Sequence, residues 1–522
     1  MLSVEQYLII FSILLLFAVL ASKASSKFGI PSLIIFLCIG MLAGSDGPGG
    51  INFDNATLTQ YVGIVALIYI LFSGGLDTNV QLIKPILKHG IILSTIGVIL
   101  TCLFLGLFLP YTGQITFKEG LLLGAIVSST DAAAVFMILR SKGIHLKPNL
   151  RSILEFESGA NDPMAVFLTI AILELITAAP QPWYHFVVMF VKQMGIGLLA
   201  GLLMAFIFYR VINQIRLEFD GLYPVLSLAY IILIYAATQM VGGSGFLAVY
   251  LAGVYLGNKK FIHKKSLILF HDGLAWLMQI VMFITLGLMV FPSRLPSVAA
   301  TGLIVSAFLI LVARPMAVFI SLIFSKMNFK EKLTISWIGL RGSVPIILAT
   351  YPYTAGYSKA DTFFHLVFFI VFTSVVLQGT TISFIAKLLK VNINPRKRIR
   401  FPIEYVPKDD MKGDLFEFEL SKGSPVCGRA IVDIDLPANT LIVLVQREGR
   451  IIVPRGTTVL SEDDLLLLLA DKESLKSLGK IFNSDFDTVT IGNHKDANNN
   501  EDNVYPISAN DNVNNKAKIV NE

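Results

Sequence analysis

The amino-acid sequence predicts an all-α polytopic membrane protein of about thirteen transmembrane helices, with a small α+β domain at its C-terminal end. Three observations predict this. Hydrophobic residues make up 54% of the 522-residue chain and charged ones 15%, whereas ordinary globular proteins carry about a quarter charged residues. Apolar runs of bilayer-spanning length, about 20 residues, follow one another from residue 4 to residue 390. Lys and Arg gather in alternate loops between them. Lipid offers the backbone no hydrogen-bond partner, so each run is a helix that satisfies its own peptide groups. The composition excludes an ordinary soluble enzyme. The net charge of +6 is dispersed over short loops rather than drawn into the stripe that nucleic acid requires, so no nucleic-acid partner is expected.

The predicted spans are residues 4–22, 29–44, 58–75, 89–111, 119–139, 152–178, 185–209, 220–239, 243–257, 267–291, 297–325, 333–350 and 362–386. The first has no basic segment before its apolar core and reads as a retained span rather than a cleaved signal peptide. Cys38, Cys102 and Cys427 show neither metal-ligand spacing nor a disulfide framework. Of the loop charges, Lys23, Lys27, Lys84, Lys88, Arg140, Lys142, Lys147, Arg151, Arg210, Arg216, Lys259, Lys260, Lys264, Lys265, Lys326, Lys330 and Lys332 fall on one side. Lys118, Arg294 and Lys359 fall on the other. Cytoplasmic loops are enriched in Lys and Arg, which puts the N-terminus outside and the C-terminus inside the cell membrane.

Two spans are interrupted midway. The fifth carries Ser128, Ser129, Thr130 and Asp131, and the twelfth carries Gly339, Arg341, Gly342, Ser343 and Pro345. They lie seven spans apart and so run in opposite directions. That pattern predicts two inverted six-helix repeats, spans one to six and eight to thirteen, whose broken helices cross near the midplane. No strong residue-level repeat stands out. Beyond the membrane region (1–390), a basic linker (391–402) leads to residues 403–485, where strand-like alternation is followed by a helix; residues 486–522 are Asn-rich, acidic and expected to be disordered.

Ionisable side chains in mid-membrane are costly and mark function by default. The sixth span holds Glu155, Glu157, Asn161 and Asp162 around Pro163, with Ser158 beside them. Glu157 and Asn161 share one helical face, with Asp162 one position further round. Carboxylate, amide and hydroxyl oxygens suit a dehydrated Na⁺ or K⁺. A carboxylate partly withdrawn from water can be neutralised by a proton or by a bound cation but not by both, and this exclusion couples the two fluxes. Asp162 is the candidate carrier, with Thr130, Asp131 and Ser158 as neighbouring ligands. Arg314 and Glu157 form a candidate structural pair, and Arg341 or Asp131 would balance the broken helix ends. Lys192 and Glu174 lie near the outer ends of their spans, where side chains reach the interface; Glu155 reads equally as a mid-membrane charge or as one that reaches the interface, and His365 reads as an interfacial or core residue.

Taken together, SSTDAA, ESGANDP, VARP and GLRGSVP, in this order and spacing, resemble the NhaP-type monovalent cation/proton antiporters. The resemblance implies that Asp162 is the ion-binding aspartate, with Asn161 before it, Thr130 and Asp131 on the unwound helix, and Glu157 and Ser158 on the sixth helix. It further implies that Arg314 is the partner of Glu157 and that Arg341, Gly342 and Ser343 form the second broken helix. Electrogenic relatives have two adjacent aspartates where this chain has Asn161-Asp162, which implies one-for-one, electroneutral exchange. The chain has Ala132 where some members have proline. Residues 403–485 resemble the RCK C-terminal (TrkA-C) domain, which implies dimerisation and a small, nucleotide-type regulatory ligand; no other cofactor is expected, nor any metal beyond the transported cation. The combination implies K⁺/H⁺ exchange by a homodimer in the bacterial cytoplasmic membrane. The alternatives are Na⁺(Li⁺)/H⁺ exchange and a ligand-gated cation channel, although no TVGYG-type filter is present. No HExxH motif supports a membrane protease.

Overall fold

The computed structural model describes residues 3–28, 31–113, 115–393, 414–420, 423–448, 450–471, 474–482 and 489–491. The chain divides into two units, residues 1–394 and 395–522.

The first unit is helical. Its principal helices are α1 (Val4–Phe28), α2 (Ser32–Ala43), α3 (Ala56–Asp77), α4 (Leu87–Thr112), α5 (Phe117–Ile126), α6 (Ala132–Ser141) and α7 (Pro148–Thr177). They continue as α8 (Trp183–Gln214), α9 (Leu222–Met240), α10 (Gly245–Gly257), α11 (Lys264–Leu288), α12 (Pro292–Ser321), α13 (Phe329–Ile338), α14 (Ser343–Thr354) and α15 (Ala360–Leu388). Among the described residues nine helices are long and apolar enough to cross a membrane, and α13 with α14, bent by 48°, makes a tenth. The other three predicted spans are shorter or split: α2, α10, and the pair α5 and α6, separated by the unwound residues 127–131.

Packing rather than amphipathicity places these helices, since lipid gives no hydrophobic drive between them. Gly253 and Gly257 form a small-xxx-small ridge on α10 that meets α3 backbone to backbone. A Cβ on Gly257 would come within 2.2 Å of the Leu76 carbonyl oxygen, and one on Gly253 within 2.5 Å of that of Phe72. Two short strands, β1 (His145–Leu146) and β2 (Asn392–Ile393), pair antiparallel and tie the loop before α7 to the end of α15. The Lys147 amide adds a bond to the Val391 carbonyl at 3.2 Å. The loop after the fifth span and the end of the last span therefore lie at the same end of the unit, as the loop-charge alternation requires.

The two halves carry a register that the sequence did not reveal on inspection. Helices α5 and α13 are each ten residues long, each begins Phe-Lys-Glu, and each is closed by a capping box, Thr116 with Glu119 and Asn328 with Glu331. Each precedes its break directly. A π-helical turn also interrupts the preceding span in both halves, Leu93–Gly97 in α4 and Leu309–Ala313 in α12.

The second unit is a small α/β domain. Its sheet has the order β5-β4-β6-β3-β7, antiparallel throughout, built from β3 (Asp414–Glu419), β4 (Leu441–Arg447), β5 (Arg450–Ile452), β6 (Leu465–Ala470) and β7 (Val489–Ile491). Alternation in β3 turns Phe416 and Phe418 inward, opposite Leu468 and Leu466 of β6. Helix α16 (Ser474–Phe482) covers them with Leu478 and Phe482, whose ring lies 5.3 Å from that of Phe418. The fully buried Asp464 is held by the Arg447 guanidinium through two bonds of 2.8 Å. Strand β7 falls inside the stretch expected to be disordered. Its β-branched Val489-Thr490-Ile491 run pairs with β3 and carries the sheet past the predicted boundary at 485. The linker 391–402, apart from residues 391–393, and the rest of the tail lie outside the described residues.

Candidate functional site

The two interruptions meet in the interior of the first unit. The Asp131 amide donates to the Leu340 carbonyl at 2.8 Å. The Arg341 guanidinium donates to the carbonyls of Ser128 and Ser129 at 2.7 and 2.8 Å. Unwinding leaves carbonyls without helical partners, and a cation buried to 1% exposure supplies two of them. Arg341 thus meets the carbonyls just past the end of α5. Gly342 is required at the contact, because a Cβ there would lie 2.3 Å from Asp131 Oδ2. Ser343, buried, opens α14.

Helix α7 lies alongside the first break and satisfies it with side chains. Ser158 Oγ donates to the Thr130 carbonyl at 2.8 Å and accepts from the Ala132 amide at 3.0 Å. Asn161 Nδ2 donates to Thr130 Oγ1 at 2.7 Å, and Asn161 Oδ1 accepts from the Thr130 amide at 3.5 Å. Asp162 Oδ1 accepts from Ser129 Oγ at 2.5 Å. Thr130, Ser158, Asn161 and Asp162 are therefore brought together. Asp131 faces the second break instead: it makes the Leu340 contact and caps α6 through the Ala134 amide at 3.0 Å. Having Ala132 in place of proline leaves an amide that Ser158 uses.

Glu157 and Arg314 form the expected ion pair, with Nη2 to Oε1 at 2.5 Å and side-chain exposures of 1% and 2%. Arg314 directly follows the π turn Leu309–Ala313 and precedes Pro315, at the start of the last α-helical stretch of α12. Glu155 is half-exposed and pairs with Arg151 one turn earlier at 2.9 Å. Glu174 bonds His185 at 3.1 Å, near the helix end. His365 is a core residue, 1% exposed, bonded to the Asp361 carbonyl at 2.8 Å.

Sequence reading missed the support of the second break. Ser374 Oγ accepts from the Arg341 amide at 3.2 Å and donates to Gln378 Oε1, and Gln378 Nε2 donates to the Trp337 carbonyl at 2.8 Å. A serine and a glutamine four residues apart on one face of an apolar span were the available signal. Ser129 also lacked an individual role until its hydroxyl was seen on Asp162.

Four acidic side chains are buried among the described residues: Glu119, Glu157, Asp162 and Asp464. Three have a cationic partner, respectively Lys359, Arg314 and Arg447. Asp162 has only the Ser129 hydroxyl. A buried carboxylate with no fixed counter-charge is stable when it carries a proton or a mobile cation, and the hydroxyls and amide of Thr130, Ser158 and Asn161 bond to one another at the adjoining break.

The sodium/hydrogen exchanger transmembrane family profile matches residues 12–388, which takes in both breaks and α7. The chain belongs to the sodium/hydrogen exchanger family. A TrkA-C domain profile matches residues 415–483. Among exchanger relatives, the K(+)/H(+) antiporter NhaP2 of Shewanella sp. (strain ANA-3) is 38% identical over 94% of this chain and 85% of the relative. The K(+)/H(+) antiporter NhaP of Alkalimonas amylolytica is 38% identical over 92% and 84%. The Na(+)/H(+) antiporter 1 of Methanocaldococcus jannaschii is 31% identical over 63% of this chain and 79% of the relative. The solved structure of the sodium proton antiporter MjNhaP1 from that organism at pH 8 superposes with a TM-score of 0.64 at 26% identity, covering 73% of this exchanger and 100% of the other chain.

Proposed function

We propose that this chain is a multi-pass secondary transporter that exchanges K⁺ for H⁺, with Asp162 as the group the two ions share. The observation that carries the reading is the missing counter-charge: Asp162 alone of the four described buried acids has no cationic partner. Cation and proton each neutralise it, so they compete for one site, and only loaded forms are cheap to move through a low-dielectric interior. Ser129, Thr130, Ser158 and Asn161 supply the neutral oxygens around it, and Asp131 with Arg341, Gly342 and Ser343 keeps the two breaks crossed. Two K(+)/H(+) antiporters that align with both units of this chain favour K⁺ over Na⁺ as the cation.

The finer architecture follows the same reading. Thirteen spans in two inverted repeats account for the shared Phe-Lys-Glu start, the matched capping boxes and the matched π turns. With its C-terminus on the Lys- and Arg-rich side, the protein sits in the bacterial inner membrane with its N-terminus outside. Residues 403–485 act as a regulatory module for a nucleotide-type ligand, in a homodimer.

Exchange is electroneutral on this account, because Glu157 is neutralised by Arg314 and Asn161 is an amide, leaving one titrating carboxylate per cycle. Proteoliposomes loaded with a pH dye test this. K⁺ is expected to dissipate an imposed pH gradient at a rate that an applied membrane potential leaves unchanged. A potential-dependent rate contradicts one-for-one exchange, and a response to Na⁺ and Li⁺ but not K⁺ contradicts the choice of cation.

A further inference from the structure

Two ion pairs outside the site are related by the same register as the two breaks. Glu119 Oε1 meets Lys359 Nζ at 2.7 Å, and Glu331 Oε1 meets Lys147 Nζ at 3.0 Å. The residue numbers of the two glutamates differ by 212, and so do those of the two lysines. Each glutamate is the third residue of a broken helix, α5 or α13, and closes its capping box. Each lysine is the N-cap of the helix that follows the other repeat's broken span: Lys359 precedes α15 and Lys147 precedes α7. The bonds are thus exchanged between halves.

They also lie at opposite ends of the unit. Lys359 is at the start of α15, which has 29 residues and so runs about 43 Å. Lys147 is joined by β1 and β2 to its far end. A lysine at a helix N-terminus opposes the helix dipole and gains most from a nearby carboxylate. The Glu119 carboxylate is 8% exposed and further held by the Thr116 amide and hydroxyl and by the Tyr357 hydroxyl, so it is more than a loose surface partner.

We propose that Glu119–Lys359 and Glu331–Lys147 are reciprocal clamps, positioning residues that fix the outer ends of the two crossed broken helices and thereby the alignment of the breaks at Asp162. A ten-residue helix is a rod of about 15 Å, so a tilt of a few degrees at its clamped end moves Ser129 and Thr130 by about 1 Å. Displacements of that size at a reacting or binding centre cost up to about a hundredfold. This inference rests on exchange at Asp162 and on the two-repeat reading.

The test is K⁺/H⁺ exchange in proteoliposomes, normalised to folded protein, for the charge reversals Lys359→Glu and Lys147→Glu and for the conservative variants Lys359→Arg and Lys147→Arg, which leave both capping boxes intact. Each reversal is expected to raise the apparent KM for K⁺ by about tenfold or more, to a similar extent for the two pairs, and each arginine variant to hold it within about threefold of wild type. Lys359→Met and Lys147→Met serve where a reversal fails to fold, with the same rise in KM expected. The proposal is overturned if KM stays at the wild-type value while only the yield of folded protein falls, if the arginine variants lose affinity as the reversals do, or if one pair matters and the other does not. A wild type without exchange under either cation would instead sink the transport reading.

Discussion

Replacing Asp162 by Asn is expected to abolish exchange, reducing the K⁺-driven pH change in everted vesicles to the leak of vesicles lacking the protein. The amide is nearly isosteric and can still accept from Ser129, so the protein should fold and reach the membrane. What it loses is a charge that a proton or a cation can neutralise. The same substitution also removes the need for a counter-charge, so thermal stability in detergent should hold or rise, since an uncompensated buried carboxylate is costly. A longer carboxylate, in Asp162→Glu, retains titration but moves the oxygens by about one bond away from the shell of Ser129, Thr130, Ser158 and Asn161, so partial exchange with weaker K⁺ affinity is expected. Full exchange in the Asn variant would remove Asp162 from the carrier role.

Neutralising Glu157 should act on folding rather than on coupling. In Glu157→Gln, Arg314 is left at 2% exposure without a counter-charge, and breaking a buried pair from one side costs about 3–5 kcal/mol. Arg314 has little slack: its Nε has no hydrogen-bond partner among the described residues, and a Cβ on Gly339 would press within 2.7 Å of it. Low yield and a markedly lower Tm are expected. Removing both charges with Glu157→Gln/Arg314→Met should recover most of that loss, because replacing a buried pair by neutral groups is often close to neutral. Coupling in the double variant should still be competitive between K⁺ and H⁺. A double variant less stable than the single would show that the pair serves something other than mutual neutralisation.

Much of this was legible in the sequence because a bilayer tolerates so few exceptions. Apolar runs placed the ten long or bent membrane helices, while α2, α10 and the split α5 and α6 are shorter than the spans predicted there; buried charge singled out Glu157, Asp162, Arg314 and Arg341. The interrupted fifth and twelfth spans were visible because Ser128, Ser129, Thr130 and Asp131, and Gly339, Arg341 and Gly342, break apolar runs. Less legible were interactions whose partners lie far apart in the chain. Ser374 and Gln378 look like scattered polar residues until Arg341 and Trp337 are seen beside them. The register between halves rests on three residues, Phe-Lys-Glu, within otherwise unrelated apolar sequence, so it emerged only once both helices began with the same capping geometry. Asp131 could be placed near Asp162 by sequence, but which break its carboxylate faces depends on how the two spans cross. Strand β7 was hidden because three β-branched residues sit between polar stretches and gain their order from pairing with β3.

The central claim is that one carboxylate holds K⁺ or H⁺ but not both, and the dependence of K⁺ affinity on pH tests it most directly. Apparent affinity scales with the fraction of carriers in the binding-competent, deprotonated form. Below the pH at which Asp162 is half protonated, the apparent KM for K⁺ should therefore fall by about tenfold for each unit the pH rises, with the maximal rate at saturating K⁺ unchanged. An apparent KM independent of pH, with only the maximal rate changing, would contradict a shared site.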